Sequence, residues 1–538
     1  LGSIFLCFYL FVGGRGTVSP DSISNMSLAC SIVRDFDSTF TPEEAPALFR
    51  WKVVHGKQSQ EVLLTRIDPS TRALWDAGRI ELIGPNYLAV DSKLPGRYAS
   101  TFPPGASWLA VPVYAAVSVV VGDVADRPRL MWAIGRLIAA STAAISAVFV
   151  FATCRLITSS SVSVLLAIGY ALGTSVWTTS SQGLWQHGPA EMFAAWAIFL
   201  WASSHQPVRY AGMIGVLLGA ATVCRITYAA LVIGVGLHLL WSDRRGLLAY
   251  LAGGLPMAIF LAAYNEACFG SPFLMGEALV PNHALEKTGS DAVFSTPAWL
   301  GLSTSLISPN RGLWVFSPML ALGLLGWLVS GEGRRQAWVQ TLVFSAVLMT
   351  LIQATYFDYW GGWCFGNRNL VDTVVVWMPA IAWGFDRWSR PLARAALVLT
   401  IGWGVTLQMC GALLYTPESW NGRTLYRIGP LERDSWITHD RQMAEEKGAR
   451  DGLPIEEIEG NIDLPLNRHR LWSVQDSQIK VLIEQLRNRE SVVTFADEFL
   501  LSRREDKMRN HARLAFAFDQ VGDVDEADRQ RSLAASVP

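Results

Sequence analysis

Long apolar runs recur along this chain at 1–13, 136–154, 162–179, 189–204, 210–224, 226–242, 246–264, 312–330, 337–356, 370–386 and 393–415. A bilayer core accepts a helix of about 17–25 mostly apolar residues, because each backbone N–H and C=O must be satisfied inside the segment. Runs of this kind predict an all-α polytopic membrane protein, a bundle of about eleven transmembrane helices. Composition agrees: 51% of the 538 residues are hydrophobic and 17% are charged, against about a quarter charged in soluble chains. The formal charge of -1 offers no basic field for a phosphate backbone, so no nucleic-acid partner is expected. The 7 cysteines lack C-x-x-C spacing and sit in apolar stretches, as small core residues rather than a disulfide framework or zinc site. The opening run has no positively charged flank and no clear cleavage site, and reads as a first span rather than a signal peptide.

Loop arginines set the orientation. Arg155, "HQPVR" (205–209), "SDRRG" (242–246), "GEGRR" (331–335) and "RWSRPLAR" (387–394) alternate regularly if the apolar segment 105–121 does not cross. That segment is therefore expected to lie as an interfacial helix, with the N-terminus cytoplasmic and the end of the spans outside. The opposite face then receives a long first external loop, 14–104, and the unusual polar stretches "SSQGLWQHGPAE" (180–191), "CRITY" (224–228), "YNEACFGSPFLMGE" (264–277), "SPNRGLWVFSP" (308–318) and "YFDYWGGWCFGNRN" (356–369). Segregation of this kind points to one extracytoplasmic site built from many loops. Hydropathy drops from 416, so the chain divides into a membrane module, 1–415, and a mainly helical extramembrane tail, 416–538. Residues 511–534 read as a helical hairpin of tetratricopeptide type or as a plain helical tail; stacking normally takes three or more such repeats.

Several residues on that face have the chemistry of a site. Asp21 follows Pro20 and precedes an amphipathic helical pattern, as a helix cap or as a general base at the membrane surface. Lys93 and Arg97 flank a Pro-Gly turn and suit lipid headgroups or one particular phosphate. His187 and Glu191 bracket a helix start; a lone histidine without a second ligand motif does not indicate a metal. Arg225 sits between two apolar spans joined by almost no loop, where charge is costly and marks a site unless it snorkels to the surface. Arg311 and Arg368 each stand beside glycine at the top of a span. Arg368 lies four residues before Asp372, so an i,i+4 pair competes with a phosphate-binding role. Trp360 and Trp363 offer faces for a sugar or belong to an interfacial aromatic belt.

Taken in order, Pro20-Asp21, "FPPGASWLAVPVY" (102–114), "LWQHGPAE" (184–191), "CRITYAAL" (224–231), "NEACFGSPF" (265–273), "SPNRGLWVFSP" (308–318), "WGGWCFGNRNLVD" (360–372) and "LNRHRLW" (466–472) resemble a bacterial GT-C-type membrane glycosyltransferase. That superfamily holds the protein mannosyltransferases and lipid A aminoarabinose transferase, and the resemblance covers about residues 1–475. It implies a sugar carried on a polyprenyl phosphate or diphosphate and passed to an envelope glycan, lipid or protein on the extracytoplasmic side of the bacterial inner membrane. It also implies that the first-loop acid, here Asp21, is the catalytic base. Many relatives carry two acids there, whereas Ser22 follows Asp21 in this chain. Asn367 and Cys364 stand where many relatives have proline and serine. A base on one side and a phosphate clamp drawn from Lys93, His187, Arg225, Arg311 and Arg368 on the other fit single-step inversion without a cofactor. The rival expectation, a polyprenyl-lipid or solute transporter, calls for paired repeats and mid-span polar residues, neither of which this sequence displays.

Overall fold

The computed structural model describes residues 1–12, 21–55, 58–63, 81–83, 88–204, 209–280, 293–386, 391–415 and most of 420–487. It is mostly helical. Four helices are long and apolar enough to cross a membrane: Pro128–Ile157, Arg244–Phe269, Ala337–Thr355 and Pro391–Leu414. Shorter apolar helices run over Gly2–Phe11, Gly105–Val121, Ser160–Leu172, Ala211–Cys224, Ile226–Ser242, Ala298–Ile307 and Pro318–Val329. Together they mark a membrane protein.

The ends of these helices follow from local sequence. The span expected over 312–330 is broken: a single turn, Leu313–Phe316, precedes a helix that starts on Pro318, which presets the first helical turn. Ser317 at the break donates its hydroxyl to the Gly173 carbonyl (2.8 Å). The run 162–179 likewise stops at Leu172, and a π-turn, Val176–Ser180, follows. The helix Ala298–Ile307 has no counterpart among the expected runs.

Burial separates the lipid-facing helices from the core. In the most apolar window of Pro128–Ile157, 61% is buried inside the protein, against 11% for Arg244–Phe269. The latter exposes Leu248, Leu251, Leu255 and Ile259; so much open apolar surface suits hydrocarbon rather than water. It joins the bundle by one face, where Gly212 and Gly215 meet Tyr250, Gly253 and Gly254 so closely that a Cβ on Gly215 would fall 2.0 Å from the Tyr250 carbonyl oxygen. Small residues at such a seam let helix backbones pack directly.

The segments outside the bundle are not purely helical. In the first loop the helix Asp21–Asp35 is followed by β1 (Thr39–Phe40), β2 (Arg50–His55), β3 (Gln58–Leu63), β4 (Glu81–Ile83), β5 (Ala89–Asp91) and β6 (Tyr98–Ser100). They form two antiparallel sheets, β1-β6-β5 and β3-β2-β4. The segment 105–121 forms one helix as expected. The described part of the tail, expected to be mainly helical, also contains a third antiparallel sheet, β8-β7-β9, from β7 (Thr424–Ile428), β8 (Trp436–Thr438) and β9 (Ile455–Glu459). Helices Arg441–Asp451 and Gln478–Arg487 accompany it. The hairpin expected over 511–534 lies outside the described residues.

A candidate ion-paired site at one end of the bundle

The site is organised by the turn between Ala337–Thr355 and the next helix, Val371–Asp386. Gly361, Gly362 and Gly366 there have φ of 83°, 65° and 66°, a left-handed region open chiefly to glycine. These twists turn the carbonyls of Gly362, Cys364 and Gly366 toward the Arg311 guanidinium. Arg311 donates to Gly366 O (2.8 Å), Gly362 O (3.0 Å), Cys364 O and Asn421 Oδ1 (2.6 Å), and stacks over the Trp420 ring. It is 0% exposed. The phosphate-binding role expected for Arg311 is therefore corrected: the guanidinium is a staple for its neighbour turn.

The tail closes this staple. Gln478 accepts from Gly366 N (2.9 Å) and donates to Cys364 O (3.0 Å), while its own backbone N–H donates to Asn310 Oδ1 (2.8 Å). Asn310 Nδ2 donates to Arg470 O (2.7 Å), and Arg470 grips Trp420 O and Asp476. Arg470 belongs to the "LNRHRLW" stretch, so that stretch serves to dock the tail.

Arg368 leaves the stapled turn toward the first loop. It is ion-paired with Asp21, lies 3.8 Å from Asp358 and stacks 4.8 Å over the Trp185 ring. The i,i+4 pairing with Asp372 does not form, because Arg368 precedes the helix and only Asp372 lies in its first turn. Gly362 makes room for the pair: a Cβ there would fall 3.0 Å from Asp358 Oδ2 and 3.2 Å from Arg368 Nη2. Asp358 in turn accepts from Gly362 N (2.8 Å), and its carbonyl accepts from Asn369 Nδ2 (2.6 Å).

Asp372 is the hub of a second node. Its carboxylate meets His187 Nδ1 at 2.9 Å and Arg225 Nε at 3.0 Å, and its carbonyl accepts from Tyr228 OH (3.0 Å). Arg225 caps the helix Ala211–Cys224 in an extended conformation. With Nε held by Asp372, its terminal nitrogens make no hydrogen bond among the described residues, and 15% of the side chain is exposed. That is a guanidinium fork fixed at its stem and open at its tip. Trp185, tilted 5.7 Å from the His187 ring, bridges the two nodes.

Other candidates sit elsewhere. Arg97 donates to Thr39 Oγ1 (2.7 Å) and Thr39 O (3.0 Å) and pairs with Asp37 (2.8 Å) and Glu44 (3.2 Å), tying the first-loop sheet together. Lys93 caps the end of Arg244–Phe269 through Glu266 O (2.7 Å). Glu191 is buried in the bundle on Ser180 (2.8 Å) and Tyr170. Trp360 is 3% exposed under the Arg468 guanidinium, and Trp363 packs on Gly422. Trp360 is thereby closed off, whereas Trp363 is half-buried.

Sequence reasoning missed Trp185, Asp358 and Glu277, and treated Asp372 only as a partner for Arg368. All three lie inside quoted stretches (180–191, 264–277 and 356–369), so proximity in sequence was the available signal. Glu277 is half-buried on a short turn, Gly276–Leu279, beside the two nodes. Burial pushes its carboxyl up from the ordinary value; Arg225 and Arg368 pull against that rise and Asp21 adds to it. Among the described residues no group of three or more His, Cys, Asp or Glu side chains is arranged to hold a metal ion.

The turns that meet here, 21, 185–187, 225–228, 276–279, 308–312 and 358–372, share one end of a helical membrane bundle, and their two nodes combine carboxylates with partly open guanidinium groups. A membrane protein with an ion-paired site at one end of its bundle is the class this geometry defines. Comparison with known proteins adds nothing more specific: no family model, no curated protein and no solved structure matches the chain.

Proposed function

We propose that this chain transfers a sugar from a polyprenyl-phosphate-linked donor to an envelope glycan, lipid or protein on the extracytoplasmic side of a bacterial inner membrane. The carrying observation is the pair of Asp21 and Arg368 between the first-loop helix and the glycine turn, with the open Arg225 fork beside it. In this reading the donor phosphate enters from the bilayer and engages Arg225 and Arg368. Both groups are aimed before the substrate arrives, which is what stabilises developing charge on a leaving phosphate. Phosphate on Arg368 releases Asp21 to accept the proton of the attacking hydroxyl. The acceptor oxygen bonds to the anomeric carbon, the carbon–phosphate oxygen bond breaks, and its electron pair leaves with the phosphate. About eleven spans, with the site and the tail outside, belong to the same proposal. Purified protein and a panel of radiolabelled polyprenyl-phosphate sugars test it. Asp21→Asn is expected to lower transfer by about 100-fold or more without loss of folded protein; full activity in that variant overturns the base assignment.

A further inference from the structure

The turn that carries Arg368 is held at one point by a residue from far along the chain. At the start of the tail helix Gln478–Arg487, Ser477 Oγ accepts from Lys480 N (3.1 Å). Val481 and Leu482 of that helix are buried in the same cluster as Tyr359, Trp360, Phe365 and Trp420. Gln478 thereby enters the glycine turn with no exposed surface. Its amide lies along the turn as a neighbouring strand would. It accepts from Gly366 N–H (2.9 Å) and donates to Cys364 O (3.0 Å) and Tyr415 OH (2.8 Å). These contacts are unequal in weight. Without Gln478, Cys364 O still has Arg311 and Tyr415 as donors. Gly366 N–H has no other acceptor among the described residues.

Gly366 has a φ of 66°, and glycine can leave that conformation for its mirror image at little cost. Arg311 fixes the carbonyl of this residue (2.8 Å), and Gln478 fixes its N–H. Just beyond, Asn367 Oδ1 accepts from Asn369 N (2.9 Å), which ties residues 367–369 into one unit. A rotation at Gly366 therefore carries Arg368 with it. We propose that Gln478 is the positioning residue for Arg368, so that the tail builds part of the proposed phosphate site. The inference rests on the transfer reading above. Asp21 and Asp358 hold the head of the Arg368 side chain; Gln478 sets where its backbone starts. Both ends have to be fixed if the guanidinium is to meet developing charge without rearranging. Gln478 lies beyond residues 1–475, where the resemblance ends, so that resemblance gives it no role.

Gln478→Met keeps the length and apolar packing of the side chain and removes all its amide contacts. It is expected to lower kcat for a polyprenyl-phosphate sugar about 30-fold, with donor KM within about threefold. A role in folding alone would reduce the folded fraction and leave the kcat of that fraction unchanged. In an Arg368→Lys background the same substitution is expected to cost no more than about twofold, because the group it aims is already impaired. Gln478→Glu keeps an oxygen for Gly366 N–H and is expected to recover part of kcat. It also takes the place of Gln478→Met in this cycle if that variant does not fold. Wild-type kcat in the folded variant, or losses that multiply with those of Arg368→Lys, overturn the proposal. Undecaprenyl phosphate carries the charge that the leaving group develops, and its binding needs no turnover. Gln478→Met is expected to weaken that binding about tenfold in the wild-type background and not beside Arg368→Lys. The same result without transfer by the wild type defeats the transfer reading and leaves Gln478 positioning an anion site. Unchanged binding together with absent transfer defeats both.

Discussion

Arg311 and Arg368 stand in near-identical sequence settings, "PNRGL" and "GNRNL", each at the head of an apolar run. Their surroundings in the fold differ sharply. Arg311 has no exposed surface and bonds three carbonyls and an amide oxygen. Arg368 keeps 17% of its side chain exposed and meets two carboxylates and an indole face. A guanidinium enclosed by neutral oxygen acceptors is a structural fastener. One held by carboxylates at a partly open edge can exchange a carboxylate for a phosphate, since both are anionic and both fit its planar fork. The first arginine shapes the turn from which the second projects. Sequence context alone does not distinguish them; the difference lies in what the chain brings to each guanidinium from far away.

The strongest way to break this comparison is to remove the fastener. Arg311→Met leaves the Gly362 carbonyl and the Asn421 oxygen without their donor in a buried place and takes the guanidinium from Cys364 O and Gly366 O, where Gln478 still donates to Cys364 O. Each unsatisfied polar group costs about 1–3 kcal/mol, so a net loss of roughly 3 kcal/mol or more is expected. The measurement is thermal unfolding in detergent, together with limited proteolysis of the tail that Asn310 and Gln478 dock. Retention of wild-type stability in Arg311→Met contradicts the fastener role.

How much of this was legible in the sequence depends on the range of the interaction. Apolar periodicity located nearly every helix, since each depends on its own 10–25 residues: the expected run 337–356 forms Ala337–Thr355, and 393–415 forms Pro391–Leu414. Proline and serine interrupt the run at 312–330, a local signal that a hydropathy window averages away. The short strands β5 and β6, three residues each, fall below what alternation can resolve. Site pairings were out of reach for another reason. Asp21 and Arg368 are 347 residues apart, and His187 and Asp372 are 185 apart. No single sequence encodes such pairings in its spacing. The one pairing that spacing did suggest, Arg368 with Asp372, fails because the i,i+4 rule requires both residues to be helical.

Arg368→Lys sharpens the comparison from the functional side. The ammonium keeps the charge opposite Asp21 and Asp358 but loses the planar fork and the stacking on Trp185. Folding is expected to weaken by about 1 kcal/mol, in the range of one charge-assisted contact. Transfer is expected to fall about 100-fold, the usual cost of one misplaced stabilising donor. Sugar transfer and unfolding measured on the same preparation separate the two effects. An Arg368→Lys protein with full transfer removes Arg368 from the proposed phosphate site, whereas one that fails to fold makes Arg368 a second fastener.

Arg97 sets the lower bound of the comparison. Sequence grouped it with Lys93 as suited to lipid headgroups or one particular phosphate, and in the fold its guanidinium is engaged by Thr39, Asp37 and Glu44 within the first-loop sheet. Its side chain is 25% exposed and its carboxylate partners 35% and 27%. Water therefore screens these pairs, and each contributes at most about 1 kcal/mol. Arg97→Gln can still donate to one Thr39 oxygen, so the expected loss is about 0.5–1 kcal/mol, with transfer and donor KM within twofold of wild type. Salt distinguishes the outcomes: the small stability difference should narrow as ionic strength rises past 0.5 M, where the Debye length drops to about 4 Å. A KM raised tenfold with unchanged stability would instead bring Arg97 into the donor site, and the division between arginines that build the site and arginines that meet the substrate would have to be redrawn.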